Sequence, residues 1–178
     1  MLCLTVRAKT SKRTEVEIFV KLRVADRVAL TARRTLTDRL GYGGILEGLG
    51  REDYFRLALA GDEEEALTYA RDMVENTAAF ANPTKETYTI ALLQRPLAKV
   101  PRHIALVYPR AGLYDEAFLR RLAFDLGYDR VIAAGRGVAW TIDLAPEADA
   151  AYAEEILVTR ERTRGLLLNP HAEQYELV

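Results

Sequence analysis

Residues 82–88 are Asn-Pro-Thr-Lys-Glu-Thr-Tyr and residues 169–175 are Asn-Pro-His-Ala-Glu-Gln-Tyr. Both fit Asn-Pro-x-x-Glu-x-Tyr, matching Asn82, Pro83, Glu86 and Tyr88 to Asn169, Pro170, Glu173 and Tyr175 at an offset of 87. With residue usages of roughly 5%, four matches in one frame arise in about one alignment in a hundred thousand. Upstream, Leu40-Gly41-Tyr42 returns as Leu126-Gly127-Tyr128 at an offset of 86, and Gly48 falls opposite Gly135 at 87. One inserted or deleted residue reconciles these offsets. Self-similarity over most of a chain marks a repeated unit that buries its surface against its neighbour. The 178 residues therefore divide into two copies of one module. The join falls at Gln94–Pro101, where two prolines interrupt any ladder or helix. The expected organisation is module 1 over 1–94, a linker over 95–100 and module 2 over 101–178. So short a linker keeps the modules in contact.

Each module predicts the same elements. In the first, Thr14–Leu22 is rich in β-branched residues and suits a half-buried strand. Val28, Ala32, Leu36 and Leu40 form a helical stripe that Gly41 ends. Two short strands, Ile45–Leu49 and Tyr54–Ala60, are expected around a turn at Gly50 and Asp53. Asp62 is placed to cap a second helix whose first turn holds Glu63, Glu64 and Glu65. Its stripe of Ala66, Ala70, Met73, Val74 and Thr77 runs to the Asn82-Pro83 stop, and Tyr88–Leu93 is the last strand. The second copy predicts strand His103–Tyr108, helix Tyr114–Leu126, strands Arg130–Ala133 and Val138–Leu144, a long helix over about Glu147–Leu167, and strand Tyr175–Val178. The resulting order is βαββαβ, the ferredoxin-like pattern of an α+β fold with an antiparallel sheet. Residues Leu2–Val6 suggest an extra strand. Two such modules can cover each other as an intramolecular pseudo-dimer, sheet to sheet or edge to edge.

The doubled ending, Phe80-Ala81-Asn82-Pro83 to Tyr88 and Leu167-Leu168-Asn169-Pro170 to Tyr175, resembles that of the PurS family, the small subunit of phosphoribosylformylglycinamidine synthase. Leu126-Gly127-Tyr128 followed by Val131 to Gly135-Arg136 is similar to a second stretch of that family, as is Leu40-Gly41-Tyr42 through Gly48. The resemblance implies a ferredoxin-like, segment-swapped dimer fused into one chain. It also implies a subunit without catalytic residues, bridging PurQ-type glutaminase and PurL-type synthetase subunits for ammonia transfer in purine biosynthesis. The family signature between the first strand and first helix is departed from here. Its nearest remnants, Asp26 in the first copy and Gly112 and Asp115 in the second, become candidates for partner contact together with Arg136.

Other chemistry is weakly signalled. Lys plus Arg total 25 and Asp plus Glu 26, a balance that argues against phosphate-driven nucleic-acid binding. Cys3 is the one cysteine, so no internal disulfide or thiolate metal site is expected. His103 and His171 lack ligands at metal spacing. The glycines from Gly41 to Gly50 lack a P-loop Lys-Ser/Thr, and suit caps and turns. Tyr54, Phe55 and Trp140 lack the sequence context of an RNA-stacking sheet. Arg33-Arg34, Arg120-Arg121 and Arg160–Arg164 suit solvated helix faces or subunit contacts. No apolar run approaches a membrane span or signal peptide, so a cytoplasmic location is expected, with no cofactor, metal or membrane partner. Homo-oligomers of the tandem chain are compatible with this reading. The alternative function is a stand-alone regulatory module that binds a small metabolite between its halves.

Overall fold

The computed structural model describes residues 12–93 and 102–178. The Leu2–Val6 strand, Cys3 and the 95–100 linker lie outside the described residues. The first repeat runs β1 (Arg13–Leu22), α1 (Arg27–Asp38), a 3₁₀ turn (Tyr42–Gly44), β2 (Leu46–Ala60), α2 (Glu63–Asn76) and β3 (Glu86–Leu92). The second runs β4 (Arg102–Pro109), α3 (Glu116–Arg120) prolonged by a π-helical turn (Arg121–Asp125), β5 (Val131–Leu144), α4 (Ala151–Leu157) and β6 (Glu173–Leu177). The protein is thus α+β. Among the described residues no helix is long and apolar enough to cross a membrane.

Short polar side chains start three of the helices. Asp26 accepts from the Val28 and Ala29 amides, and Asp115 accepts from Phe118. Asp62 and Glu65 exchange bonds as a capping box. Gly41 and Gly127, at φ +83 and +77, occupy the left-handed region in which only glycine is unstrained, and they reverse the chain after α1 and after the π turn.

All six strands join one antiparallel sheet in the order β3-β1-β2-β5-β4-β6. Where two short strands were expected in each repeat, the structure has one long strand, β2 or β5. The residues Gly48, Gly50 and Asp53 are not at a turn. They continue the β2–β5 ladder, opposite Asp143, Thr141 and Val138. Gly48 lies close to the neighbouring strand: a Cβ there would sit 2.6 Å from Asp143 Oδ2, at the movable end of that side chain. The ladder is symmetric about its centre: its end pairs are Leu46 with Leu144 and Leu59 with Val131, and each end carries a one-residue bulge, at Glu47 and at Ile132. That symmetry equates β2 with β5 at an offset of 85, so Gly50, and not Gly48, is the counterpart of Gly135.

The cores do not follow the repeats. On the helical face, Val16, Ile18, Leu57, Ala70 and Met73 of the first repeat pack with Phe118 and Leu122 of the second. Trp140, Ile142, Ile156 and Leu157 of the second repeat pack in turn with Ala29, Leu36 and Tyr42 of the first. Each repeat thus sends its first helix into the other's core. Phe118 meets Phe80 at 5.6 Å and Phe55 at 5.7 Å between ring centroids. The opposite face carries a third cluster, Phe19, Tyr54, Ile104, Leu106, Leu113 and Ala139. Side chains from β2 and β6 bond across it although two strands lie between, so the sheet curls around this face.

One expected element is much shorter. The Glu147–Leu167 helix is only Ala151–Leu157. Beyond it the chain folds back, with the Leu166 amide donating to Ile156 and the Leu168 amide to Leu157. The return is possible because Gly165, at φ +69, leaves no space for a side chain: a Cβ would sit 1.8 Å from the Val158 carbonyl oxygen.

Candidate functional site

The repeated motif builds the same closed turn twice. The Asn82 side chain accepts from the Thr84 amide at 3.1 Å, while Glu86 reaches back to the Asn82 amide at 2.6 Å. Asn169 accepts from His171 at 3.1 Å, and Glu173 returns to Asn169 at 2.9 Å. Pro83 and Pro170 leave their carbonyls free to accept from Arg23 at 3.3 Å and Arg110 at 2.7 Å. These arginines are also 87 apart, so they belong to the repeat and were legible in it, although the sequence reading above did not include them. Tyr88 ties its strand to the preceding helix: it donates to Glu75 at 2.6 Å, and this bond is the main reason its hydroxyl pKa is raised. Burial, and then the neighbouring Glu154, raise the Tyr175 pKa.

The Leu-Gly-Tyr tyrosines form the clasp between repeats. Tyr42 of the first repeat donates to Glu155 on α4 at 2.9 Å. Tyr128 of the second donates to Asp72 on α2 at 3.3 Å and stacks edge-on against Tyr69. Burial, followed by Glu155, raises the Tyr42 pKa.

A polar cluster on the curled face gathers ionisable groups from both repeats. Tyr54 donates to Glu17 at 2.5 Å, and Arg56 Nε donates to the Tyr54 oxygen at 2.7 Å. The Arg56 guanidinium also lies 3.5 Å from Glu17 and 2.9 Å from Glu176 of β6, whose other oxygen accepts from Tyr108 at 2.9 Å. Burial and then Glu17 push the Tyr54 pKa upward. Burial works to raise the Glu176 pKa, but the bonds from Arg56 and Tyr108 outweigh it and hold the carboxyl below its ordinary value. The symmetry-related positions on β4 and β5 are Ile104, Ala139 and Thr141, so the cluster exists once. It was invisible to motif reading because its members lie on four strands of the sheet. Chemically it is closed: each group satisfies another, and no described buried side-chain polar atom lacks a partner.

The residues singled out for partner contact have structural tasks. Asp26 caps α1 and pairs with Arg51 at 3.4 Å; Asp115 caps α3 and pairs with Arg136 at 2.8 Å. The Phe118 amide bond, aided by Arg136, depresses the Asp115 pKa. Gly112, at φ +122, turns the connector that follows β4. On Gly135 a Cβ would lie 2.6 Å from the Leu113 oxygen, so that position requires glycine. Tyr54 and Phe55 point to opposite faces of the sheet and both are buried, which removes them from a base-stacking surface. Among the described residues, no three His, Cys, Asp or Glu side chains converge as metal ligands. No family model matches the sequence, and no curated protein matches it.

Proposed function

We propose that the chain is a fused, segment-exchanged pair of ferredoxin-like units of the PurS kind, acting as a non-catalytic bridging subunit of a phosphoribosylformylglycinamidine synthase complex. The sheet read in halves supports this. In one half, β3, β1, the end of β2 and the start of β5 lie side by side under α2 and α3, the strand and helix set of a ferredoxin-like unit. The α3–β5 part of that unit comes from the other repeat. The single observation that carries the reading is the reciprocal clasp: Tyr42 to Glu155 and Tyr128 to Asp72. It gives the doubled Leu-Gly-Tyr a reason to exist, holding two copies together, that needs no substrate. The Asn-Pro-x-x-Glu-x-Tyr residues are likewise engaged in turns and strand anchoring. A subunit of this kind works by presenting surfaces.

The test is affinity purification of the tagged full chain from its own cells at native expression. Recovery of a glutaminase and an ATP-dependent synthetase in fixed ratio is the predicted outcome. Absence of both, together with undiminished glutamine-dependent synthase activity when the chain is removed, contradicts the proposal. A midpoint rise of several degrees with one metabolite, and no protein partner, would instead favour a regulatory role.

A further inference from the structure

The two repeats differ where the first strand meets the first helix. Arg23 and Arg110 anchor equivalent turns, and Asp26 and Asp115 cap equivalent helices, so the second connector is longer by two residues. The extra length is used. Leu113 and Tyr114 lie along the start of β5, where the Asp115 amide donates to Ala134 at 2.8 Å and the Arg136 amide to Leu113 at 3.3 Å. Tyr114 is bridged to Gly135, and Leu113 is buried over it. In effect, the connector adds a short strand to β5.

Among the described residues, the first repeat has the same seat without that strand. Its counterpart of Gly135 is Gly50, at the wall of a cavity of about 220 Å³ bounded by Leu22, Val24, Ala25, Leu30, Leu49 and Arg51. Here β1 has peeled away, its last paired residue being Val20 opposite Asp53. Gly50 pairs with Thr141, so by strand alternation the Leu49 carbonyl and the Arg51 amide face outward, into the seat. These are the counterparts of the Ala134 carbonyl and Arg136 amide that the second connector engages. The rim is apolar and unusually bare: Val24 is 73% exposed and Leu30 47%. Of the charged groups lining the seat, Asp26 is paired with Arg51, and Lys21 makes no ion pair among the described residues.

We infer that this seat is a docking site for an extended segment of a partner protein, bearing an aliphatic residue followed by carboxylates. The segment adds a strand to β2 at Leu49–Arg51 and buries its aliphatic side chain over Gly50, as Leu113 does over Gly135. Backbone pairing supplies affinity and the aliphatic pocket supplies selectivity. Lys21 favours an acidic flank. The inference does not depend on which complex the protein serves.

The test titrates a capped peptide with the sequence of residues 111–116, Ala-Gly-Leu-Tyr-Asp-Glu, into the isotope-labelled full chain. Saturable binding at or below ~1 mM is expected, with amide shifts confined to Lys21–Leu30 and Leu49–Arg51. Replacing the peptide's leucine by alanine weakens binding about 10-fold or more. So does Val24→Glu, at an exposed position whose change leaves the circular dichroism intact. Inserting Leu-Tyr between Ala25 and Asp26 fills the seat from within, abolishes binding and raises the thermal midpoint. Four results overturn the inference: no saturation, equal binding of the alanine peptide, shifts centred elsewhere, or a seat found closed by a second copy in a concentration-dependent dimer.

Discussion

Replacing Arg56 by methionine removes the one cation of the polar cluster while keeping an unbranched side chain in place. Its two carboxylate partners are unequally placed: the Glu17 side chain is 2% exposed and that of Glu176 42%. Water can take over the solvation of Glu176, so that half of the loss is worth no more than about 1 kcal/mol. Glu17 cannot be reached by water. Stranding one member of a buried pair costs about 3–5 kcal/mol, and the surviving Tyr54 hydroxyl bond places Glu17 at the low end. The expected destabilisation is therefore about 3 kcal/mol at pH 7.5, or a midpoint lower by about 6–12 °C in a chain of this length. Urea unfolding followed by circular dichroism at pH 7.5 measures it. Adding Glu17→Gln removes the stranded charge and recovers most of the loss at pH 7.5. A variant within 0.5 kcal/mol of wild type, roughly the scatter of surface substitutions, or a double variant no more stable than Arg56→Met alone, refutes the reasoning.

Three further outcomes are expected. Asn82→Ala and Asn169→Ala each remove an amide acceptor from a motif turn and cost about 1 kcal/mol; the turns precede opposite edge strands, so chemical denaturation finds the double variant additive. Asp115→Ala removes a helix cap worth about 1 kcal/mol. Since the folded pKa of Asp115 is lowered, this contribution is present above about pH 4 and fades as pH falls through the folded value, which acid titration of both proteins detects. Gly135→Ala forces the Leu113 backbone to move and costs about 1–3 kcal/mol. Gly50→Ala, whose new Cβ meets nothing closer than Thr141 at 3.4 Å, leaves the thermal midpoint nearly unchanged.

The helices and strands that sequence located best were those with a clear stripe and a polar cap: α1 behind Asp26, and α2 behind Asp62. Asn-Pro-x-x-Glu-x-Tyr also announced its turn, because proline, an Asx acceptor and a returning glutamate are local devices. What escaped was non-local. Glycines within β2 resemble turn residues, yet Gly48 and Gly50 sit in a continuous ladder with β5, a pairing that no local signal announces. The stripe Val28, Ala32, Leu36 and Leu40 holds at Leu36 but not at exposed Val28, and it says that a face is buried without saying against what, so the exchange of α1 and α3 between repeats could not be read from periodicity. The helix expected beyond Leu157 failed because Leu166–Leu168 bond back onto α4, a tertiary preference that outweighs helical propensity. Glu17, Tyr54, Arg56, Tyr108 and Glu176 span 159 positions of sequence and meet only in the curled sheet.

The exchange of helices is the claim on which the rest stands, and nuclear Overhauser contacts between phenylalanine rings test it most directly. With only phenylalanine rings protonated, Phe55 and Phe80 of the first repeat give a cross-peak in any version of the fold. The exchanged arrangement adds cross-peaks from Phe118 of the second repeat to both, at centroid separations of 5.7 and 5.6 Å. A spectrum with the Phe55–Phe80 contact but nothing to Phe118 would mean that each repeat closes on itself, and would contradict the account.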